Sequence, residues 1–96
     1  MRFTWDENKN RSNRAKHGID FEDAKLVFSD EWALIQRDRE VNDEQRWRTL
    51  GLALGTVVLA VFHTWHEEDD EEIIRLISAR KATTHERKEY NSQFGP

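Results

Sequence analysis

The stretch Val57-Val58-Leu59-Ala60-Val61-Phe62 decides the fold of this 96-residue chain, because it is apolar at every position. A strand with one wetted face alternates apolar and polar residues, whereas a strand covered on both faces does not. The run therefore predicts the central strand of a sheet that is covered, at least in part, on both sides. The stretch 45–54 does alternate, and it predicts a neighbouring strand with Leu50, Leu52 and Leu54 on one face.

Further strand-like runs lie on either side of the central strand. Gly55 marks a hairpin turn, and a run of six acidic residues at 67–72 marks the next connection. We interpret this acidic run as a solvated, mobile hairpin loop. The predicted strands span residues 3–5, 32–36, 45–54, 56–65 and 73–79.

Capping residues predict three helices. Asp6 is a suitable N-cap for the first helix, and Gly18 stands where a glycine after the last helical turn is preferred. Thr83 followed by Glu86 has the spacing of a capping box, which opens the last helix. The predicted helices span residues 7–17, 20–29 and 83–92, and residues 91–96 are predicted to form a frayed tail.

The predicted order of elements is β-α-α-β-β-β-β-α. It indicates an α+β fold, in which a small, twisted, mostly antiparallel β-sheet carries two N-terminal helices and one C-terminal helix. A chain of 96 residues is too short for two independent cores, so we expect a single domain over 1–96.

Composition excludes several classes of protein. The chain has no cysteine, which rules out disulfide scaffolds, thiolate zinc sites and cysteine nucleophiles. No apolar run approaches the roughly 18 residues that a membrane span needs. The N-terminus lacks the apolar segment of a signal peptide, and we therefore expect a cytoplasmic protein with no membrane partner.

Charge is distributed unevenly along the chain. The net charge is −4 at pH 7, but six acidic residues fall within 67–72, and the remaining 15 basic and 13 acidic residues sum to +2. Basic residues concentrate in the segments 1–18 and 75–90. A locally basic face on an acidic molecule is compatible with phosphate binding.

Three local motifs follow one another in the order and spacing of a known family. They are Trp5-Asp6-Glu7-x-Lys9, then Asn13-x-x-Lys16-His17-Gly18-Ile19-x-Phe21-x-x-Ala24, then Ile74-Arg75-x-Ile77-Ser78-Ala79-Arg80-Lys81-Ala82-Thr83-x-x-Glu86-Arg87-x-x-Tyr90. Over residues 3–90 the chain resembles the BrnT toxins of bacterial type II toxin–antitoxin systems.

The resemblance implies a RelE-like fold and a ribonuclease activity that shuts down translation. It also implies neutralisation by a BrnA-like antitoxin, whose ribbon-helix-helix domain binds the promoter of its own operon. Promoter DNA would then be reached only indirectly, through the antitoxin.

RNA can be cut without a metal or other cofactor when its own 2′-hydroxyl attacks the adjacent phosphorus. The protein must then move protons and stabilise the negative charge of the phosphorane, tasks suited to histidine and to arginine or lysine. The candidate catalytic residues are His17, Arg75, Arg80 and Arg87, and the candidate substrate-binding residues are Lys16, Lys81 and Arg46.

Structural roles compete with these assignments. His17 could simply complement the end of its helix, and Arg75 could be a snorkelling residue with a carboxylate partner. Arg75 and Arg80 have opposite parity, so on a regular strand they point to opposite faces and converge only if Arg80 lies past the strand end. Glu86 is better explained as the capping-box partner than as a general base, and Tyr90 as a core residue.

Other functions stay open at this stage. His63 and His66, followed by the acidic run, could bind a divalent ion, although their spacing fits no known ligand frame. The acidic run could instead engage a basic partner, for which an antitoxin is the obvious candidate. Arg46 and Arg48 share one strand face that could be exposed.

A protein of a different class, a non-catalytic RNA- or protein-binding regulatory module, would bind RNA in a salt-dependent way without cutting it.

Overall fold

The computed structural model describes residues 1–95 and shows one mixed sheet with helices on both faces. In the part of the chain described, no helix is long and apolar enough to cross a membrane. The elements in chain order are β1 (Arg2–Thr4), α1 (Glu7–His17), α2 (Phe21–Ala24), a first 3-10 helix (Lys25–Ser29), β2 (Leu34–Val41), β3 (Glu44–Ala53), β4 (Val57–His63), β5 (His66–Glu68), β6 (Glu71–Lys81), α3 (Thr84–Asn91) and a second 3-10 helix (Ser92–Phe94).

The strands lie side by side in the order β1-β6-β4-β3-β2, and β5 forms a hairpin with β6. β1 runs parallel to β6, and every other pairing is antiparallel. The predicted α+β class, with two N-terminal helices and one C-terminal helix, is confirmed. The predicted element order is wrong by one strand, because β5 lies between the fourth and fifth strands that the sequence indicated.

The extra strand comes from the acidic run, so the prediction of a loop over 67–72 is wrong for four of the six residues. Two of these acids belong to β5 and two begin β6. The turn consists of Asp69 and Asp70 alone, whose φ angles of 53° and 63° are those of a tight two-residue hairpin. A run of identical charge carries no apolar alternation, so its strand character was invisible in the sequence.

β2 differs from the predicted strand over 32–36 for a similar reason. It begins at Leu34 and continues to Val41, through residues 37–40, which are all charged and exposed. β2 is an edge strand, and charged side chains along an edge hinder pairing with other chains. Its register with β3 shifts between Arg37 and Glu40, where the strand bulges.

β4 is the central strand, and the prediction that both of its faces are covered is confirmed. Leu59 and Val61 pack under α2 and the first 3-10 helix, on what we call the α2 face. Val58 and Ala60 pack on the opposite side with Tyr90 of α3, on what we call the α3 face. Alternate residues of one apolar strand thus enter two separate cores.

The first 3-10 helix lies very close to the sheet at Gly51. A Cβ atom at that position would lie 2.9 Å from the Cβ of Val27 and 3.0 Å from its carbonyl oxygen. Glycine is therefore required by the close approach rather than by backbone conformation. The predicted helix over 20–29 is α-helical only to Ala24, and its second half is wound more tightly before it ends at Asp30.

Asp30 ties the end of that 3-10 helix to both the sheet and α3. Its carboxylate accepts a hydrogen bond from the Leu52 amide at 2.9 Å and from the Tyr90 hydroxyl at 2.5 Å. Burial and the Asp30 charge raise the pKa of Tyr90 to about 12, so the phenol stays protonated. Tyr90 is 2% exposed, which confirms its predicted core role.

The chain end is more ordered than the frayed tail predicted from residue 91 onward. Ser92–Phe94 form a 3-10 helix, because the Phe94 ring packs on the rings of Tyr90 and Trp32. The Gln93 side chain also donates to the Trp32 carbonyl at 2.9 Å. Residue 96, the last of the predicted tail, lies outside the described residues.

A bulge in β6 changes the faces on which its arginines lie. Phe62 pairs with Ser78, but the next residue of β4, His63, pairs with Leu76, so Ile77 is an extra residue. Arg75 and Arg80 consequently lie on the same face of the sheet, the α3 face. The expectation that they converge only if Arg80 lies past the strand end is wrong, because Arg80 lies within β6.

His63 is a buried, neutral imidazole that links two threonines. Its Nδ1 lies 2.9 Å from the Thr64 carbonyl oxygen and must donate to it, so in the neutral ring Nε2 accepts from the Thr49 hydroxyl at 2.7 Å. The ring is fully buried, and this burial lowers its pKa to about 4. Both nitrogens are therefore occupied, which leaves neither free to bind a metal ion.

We expect the stability of the fold to fall as the pH drops from 6.5 to 4 because of His63. The unfolded state takes up a proton near the ordinary pKa of 6.5, whereas the folded state resists protonation down to about 4. The loss in the free energy of unfolding is about 3 kcal/mol over this window. Urea unfolding between pH 6.5 and 5 measures the slope, and His63→Gln should flatten it. Equal slopes in the two proteins would contradict this assignment.

Candidate functional site

Helix α1 is attached to the edge of β6 through a single asparagine. β1 pairs only with residues 73–75 of β6, so the strand edge beyond them has no partner strand. Asn13 takes that place: its side chain donates to the Ala79 carbonyl at 2.8 Å and accepts from the Ala79 amide at 3.0 Å. Its amide also donates to the Ile19 carbonyl at 2.9 Å, which holds the chain after α1. The last turn of α1 is thereby fixed beside the middle of β6.

Two neighbouring cavities share part of their lining at this point. The first, of about 210 Å³, lies between α1 and β6 and is lined by His17, Lys16 and Ser78. The second, of about 390 Å³, crosses the open part of the α3 face. Both share Ile77 and Ser78, the bulged segment of β6. We call the combined surface the β6 groove; its lining residues are Lys9, Ser12, Asn13, Lys16, His17, Asp38, Arg39, Arg46, Phe62, Ile77 and Ser78.

The groove carries more positive than negative charge and contains one imidazole. His17 lies half-buried at the end of α1, where Gly18 adopts a left-handed conformation with a φ of 72° and turns the chain away. Lysines and arginines enter from both ends, from α1 and from β2 and β3. Cations and a proton carrier along one groove match the needs of a phosphodiester in a transesterification.

Arg46 is the best placed arginine for a ligand in the groove. Its Nε atom is buried and has no hydrogen-bond partner within residues 1–95. Glu44 Oε1 lies 3.8 Å from it, at the limit of an ion pair. A buried donor without a partner is costly, and a phosphate oxygen would satisfy it.

Arg80 lies at the border of the groove, where a buried carboxylate holds it. Glu86 accepts two hydrogen bonds from the Arg80 guanidinium, at 2.6 and 3.1 Å, and one from Arg48 at 3.0 Å. The Arg80 guanidinium also stacks over the Phe62 ring, 5.3 Å from its centroid. Phe62 lines the groove, so Arg80 and Arg48 lie next to a residue of its lining.

Electrostatics hold this cluster in its charged form. Burial alone would raise the pKa of Glu86, but hydrogen bonds from Arg80 and from the Thr83 amide, together with the two nearby guanidinium charges, lower it to about 2. The same hydrogen bonds raise the pKa of Arg80 above its usual value. The predicted capping box is present, so Glu86 caps α3 and orients two arginines at once.

Four of the predicted site residues do not line the groove: Arg80 lies at its border, and the other three are held elsewhere. Arg75 donates to the Glu44 carboxylate at 2.8 Å. It therefore has the carboxylate partner that was expected if Arg75 is a snorkelling residue. Arg87 donates to the Ala82 carbonyl at 3.0 Å, at the start of α3. Lys81 pairs with Leu59 and therefore lies on the α2 face, opposite to Arg80.

Arg48 and Ser78 belong to the site but were not among the predicted site residues. Arg48 is half-buried on the α3 face, whereas the sequence suggested an exposed pairing face. Its distance of 38 residues from Glu86 along the chain gave no local signal for their contact. Ser78 pairs with Phe62 and lies on the α3 face, two residues before Arg80, but its residue type gave no signal for a site.

The structure offers no support for the metal-binding alternative. Within the described part of the chain, no three side chains of His, Asp or Glu come close enough together to hold a metal ion. His66 lies instead 3.5 Å from Glu68 within β5, on the exposed hairpin.

The chain is similar to known proteins in sequence and in fold. The model of a family described as the ribonuclease toxin BrnT of type II toxin–antitoxin systems matches residues 5–86. The crystal structure of the Brucella abortus ribonuclease toxin BrnT is similar to this chain, with a TM-score of 0.60 and 29% sequence identity. The alignment covers 88% of this chain and 99% of that one. No curated protein matches the chain.

Proposed function

The chain belongs to the BrnT family of ribonuclease toxins of type II toxin–antitoxin systems, and from this premise we propose that it cuts RNA in the β6 groove without a metal ion. Such an endoribonuclease would inhibit translation. The observation that carries the proposal is that Ser78 on β6 lines both the cavity of His17 on α1 and the cavity of Arg46 on β3. RelE-like classification of the fold and a cytoplasmic location are part of the same proposal.

In the proposed reaction the RNA 2′-hydroxyl attacks the neighbouring phosphorus. His17 takes the hydroxyl proton, and the resulting imidazolium returns a proton to the departing 5′-oxygen. Lys16 and Arg46 stabilise the additional negative charge on the phosphorane, as preorganised cations do at such sites. The products are a 2′,3′-cyclic phosphate and a free 5′-hydroxyl.

Arg80 contributes to the proposed site through its charge and its fixed position over Phe62. Because Glu86 already accepts hydrogen bonds from both of its terminal nitrogens, Arg80 acts as a rigid part of the groove floor. Catalytic roles for Arg75 and Arg87, and substrate binding by Lys81, stay predictions. Each would have to swing away from its present place to reach RNA in the groove.

A protein partner follows from the family, since a type II toxin has an antitoxin. We propose a BrnA-like antitoxin with a ribbon-helix-helix domain that binds promoter DNA, so that this chain reaches DNA only through its partner.

The test is a cleavage assay in EDTA with a labelled RNA. We expect Arg46→Gln to slow cleavage roughly ten- to hundredfold, because a buried donor that faces the phosphate is lost. In this variant the Glu44 carboxylate still has a cationic partner, because it keeps its ion pair with Arg75. Arg11→Gln is the matched control, because Arg11 is exposed on α1 and does not line the groove.

Equal rates in Arg46→Gln and wild type would exclude the groove as the site, and would point to a contaminating ribonuclease. RNA binding that weakens steeply with salt, without cleavage at any protein concentration, would favour the non-catalytic module instead.

A further inference from the structure

A second surface lies at the end of the sheet near β5, and it adjoins the β6 groove at the contact between Glu44 and Arg46. Its centre is Trp65, whose ring packs edge-on against Trp47 at 5.4 Å and remains 38% exposed. Two cavities, of about 240 and 340 Å³, lie on either side of Trp65. We call this the Trp65 surface; it consists of Asp43, Glu44, Gln45, Trp47, Thr64, Trp65, His66 and the acidic hairpin at 67–72.

The larger cavity is lined by a residue whose hydroxyl group lacks a hydrogen-bond partner. Thr64 is 2% exposed, and its Oγ1 makes no hydrogen bond with any of residues 1–95. Thr64 lines the cavity together with Trp65, Asp43 and Glu44. A buried hydroxyl without a partner destabilises a free protein, so its presence at the wall of a cavity points to a donor that arrives with a ligand.

Two carboxylates in the same wall define the charge of that donor. Glu44 uses its Oε1 atom for the contacts to Arg75 and Arg46, while Asp43 stands on the β2–β3 turn with a φ of 63°. The acidic hairpin lies beside them. The guanidinium group of arginine fits this combination. It is planar, it donates several hydrogen bonds to carboxylates and hydroxyls, and it stacks on the face of an indole ring.

We propose that the Trp65 surface binds a cationic segment of a protein partner, with an arginine side chain inserted between Trp65 and the β2–β3 turn. The guanidinium donates to Thr64 Oγ1 and to the carboxylates, and it stacks on the Trp65 ring. The neighbouring basic residues of the segment lie along the acidic hairpin. That the partner is an antitoxin rests on the proposed function, whereas the cationic chemistry rests on the surface itself.

The test measures binding of a fluorescently labelled hexa-arginine peptide by anisotropy, with hexa-lysine as the comparison. We expect wild type to bind hexa-arginine more tightly than hexa-lysine, because lysine cannot make planar, multiple hydrogen bonds. Trp65→Ala and Thr64→Val each remove a contact without changing charge. Each should weaken hexa-arginine binding about tenfold.

Thr64→Val has a second signature that a purely structural threonine would not show. It removes a buried hydroxyl without a partner and is nearly the same size, so the melting temperature should stay the same or rise while binding weakens. Trp32→Ala and Thr56→Val are matched controls at exposed positions elsewhere, and they should bind as wild type does. If Trp65→Ala fails to fold, Thr64→Val still decides the question.

Three results would overturn the proposal: no binding of hexa-arginine, equal affinity for hexa-lysine, or unchanged binding in both Trp65→Ala and Thr64→Val. RNA cleavage by the same two variants should match wild type, because neither residue lines the β6 groove. If a variant loses peptide binding but still cleaves RNA, the result concerns the Trp65 surface alone. Absent cleavage in wild type would overturn the ribonuclease and leave the docking surface standing.

Discussion

Cleavage of RNA is expected to fall by about 10²- to 10⁴-fold in His17→Gln, which is the usual contribution of a positioned general acid–base. His17 is the histidine that lines the β6 groove. Glutamine keeps the size and the hydrogen-bonding capacity of the side chain but cannot carry a proton in the physiological range. The rate of cleavage of a labelled RNA, with a 2′-deoxy substitution as the uncleavable reference, measures the loss.

The competing structural role of His17 predicts a different result. An imidazole that only complements the end of α1 would affect the free energy of unfolding by up to about 1 kcal/mol and leave the chemical step unchanged. His85→Gln is the matched control, because the His85 side chain is 85% exposed on α3. Cleavage by His17→Gln at the wild-type rate would remove His17 from the mechanism.

Glu86→Gln is expected to lower both stability and cleavage. One buried carboxylate holds Arg80 and Arg48, and without its charge Arg80 loses its carboxylate partner while Arg48 keeps only Glu89 at 3.6 Å. Breaking a buried pair in this way costs about 3 kcal/mol. Glutamine can still accept from the Thr83 amide, so the cap of α3 is retained in part. Urea unfolding at pH 7 measures the change in the free energy of unfolding.

The pH dependence provides an independent check on Glu86. Its pKa is about 2 in the fold, below the ordinary value of 4.5, so its stabilisation is present above pH 4.5 and is lost as the pH falls toward 2. That loss amounts to about 3 kcal/mol and should be absent in Glu86→Gln. The window lies below that of His63, so the two contributions can be separated. A variant as stable as wild type at pH 7 would show that the arginines do not depend on Glu86.

Local signals in the sequence predicted most of the fold. Asp6 and Gly18 bound α1 at the predicted residues, because each of them contacts only backbone groups within four positions of itself. The capping box of Thr83 and Glu86 is present for the same reason. The apolar run at β4 predicted a central strand, since its lack of alternation reflects two covered faces.

Features that depend on strand register could not be predicted in this way. The bulge at Ile77 arises from the pairing of β6 with β4, and it moves Arg75 and Arg80 onto one face. Arg48 joins Glu86 only because β3 and α3 pack together in three dimensions. The sequence therefore suggested which residue types form the site, but not which of them meet.

The way in which α1 is attached to β6 affects how long the two stay together. The buried residues of α1 are Asn10 and Asn13, so this helix is docked by side-chain amides and not by an apolar face. Units that bury little apolar surface open at lower free energy than the core, and their amides exchange with solvent sooner. We therefore expect α1 to exchange its amide hydrogens before the strands do. Each such opening carries His17 away from β6, so the hydrogen bonds of Asn10 and Asn13 set the fraction of time for which the proposed site is assembled.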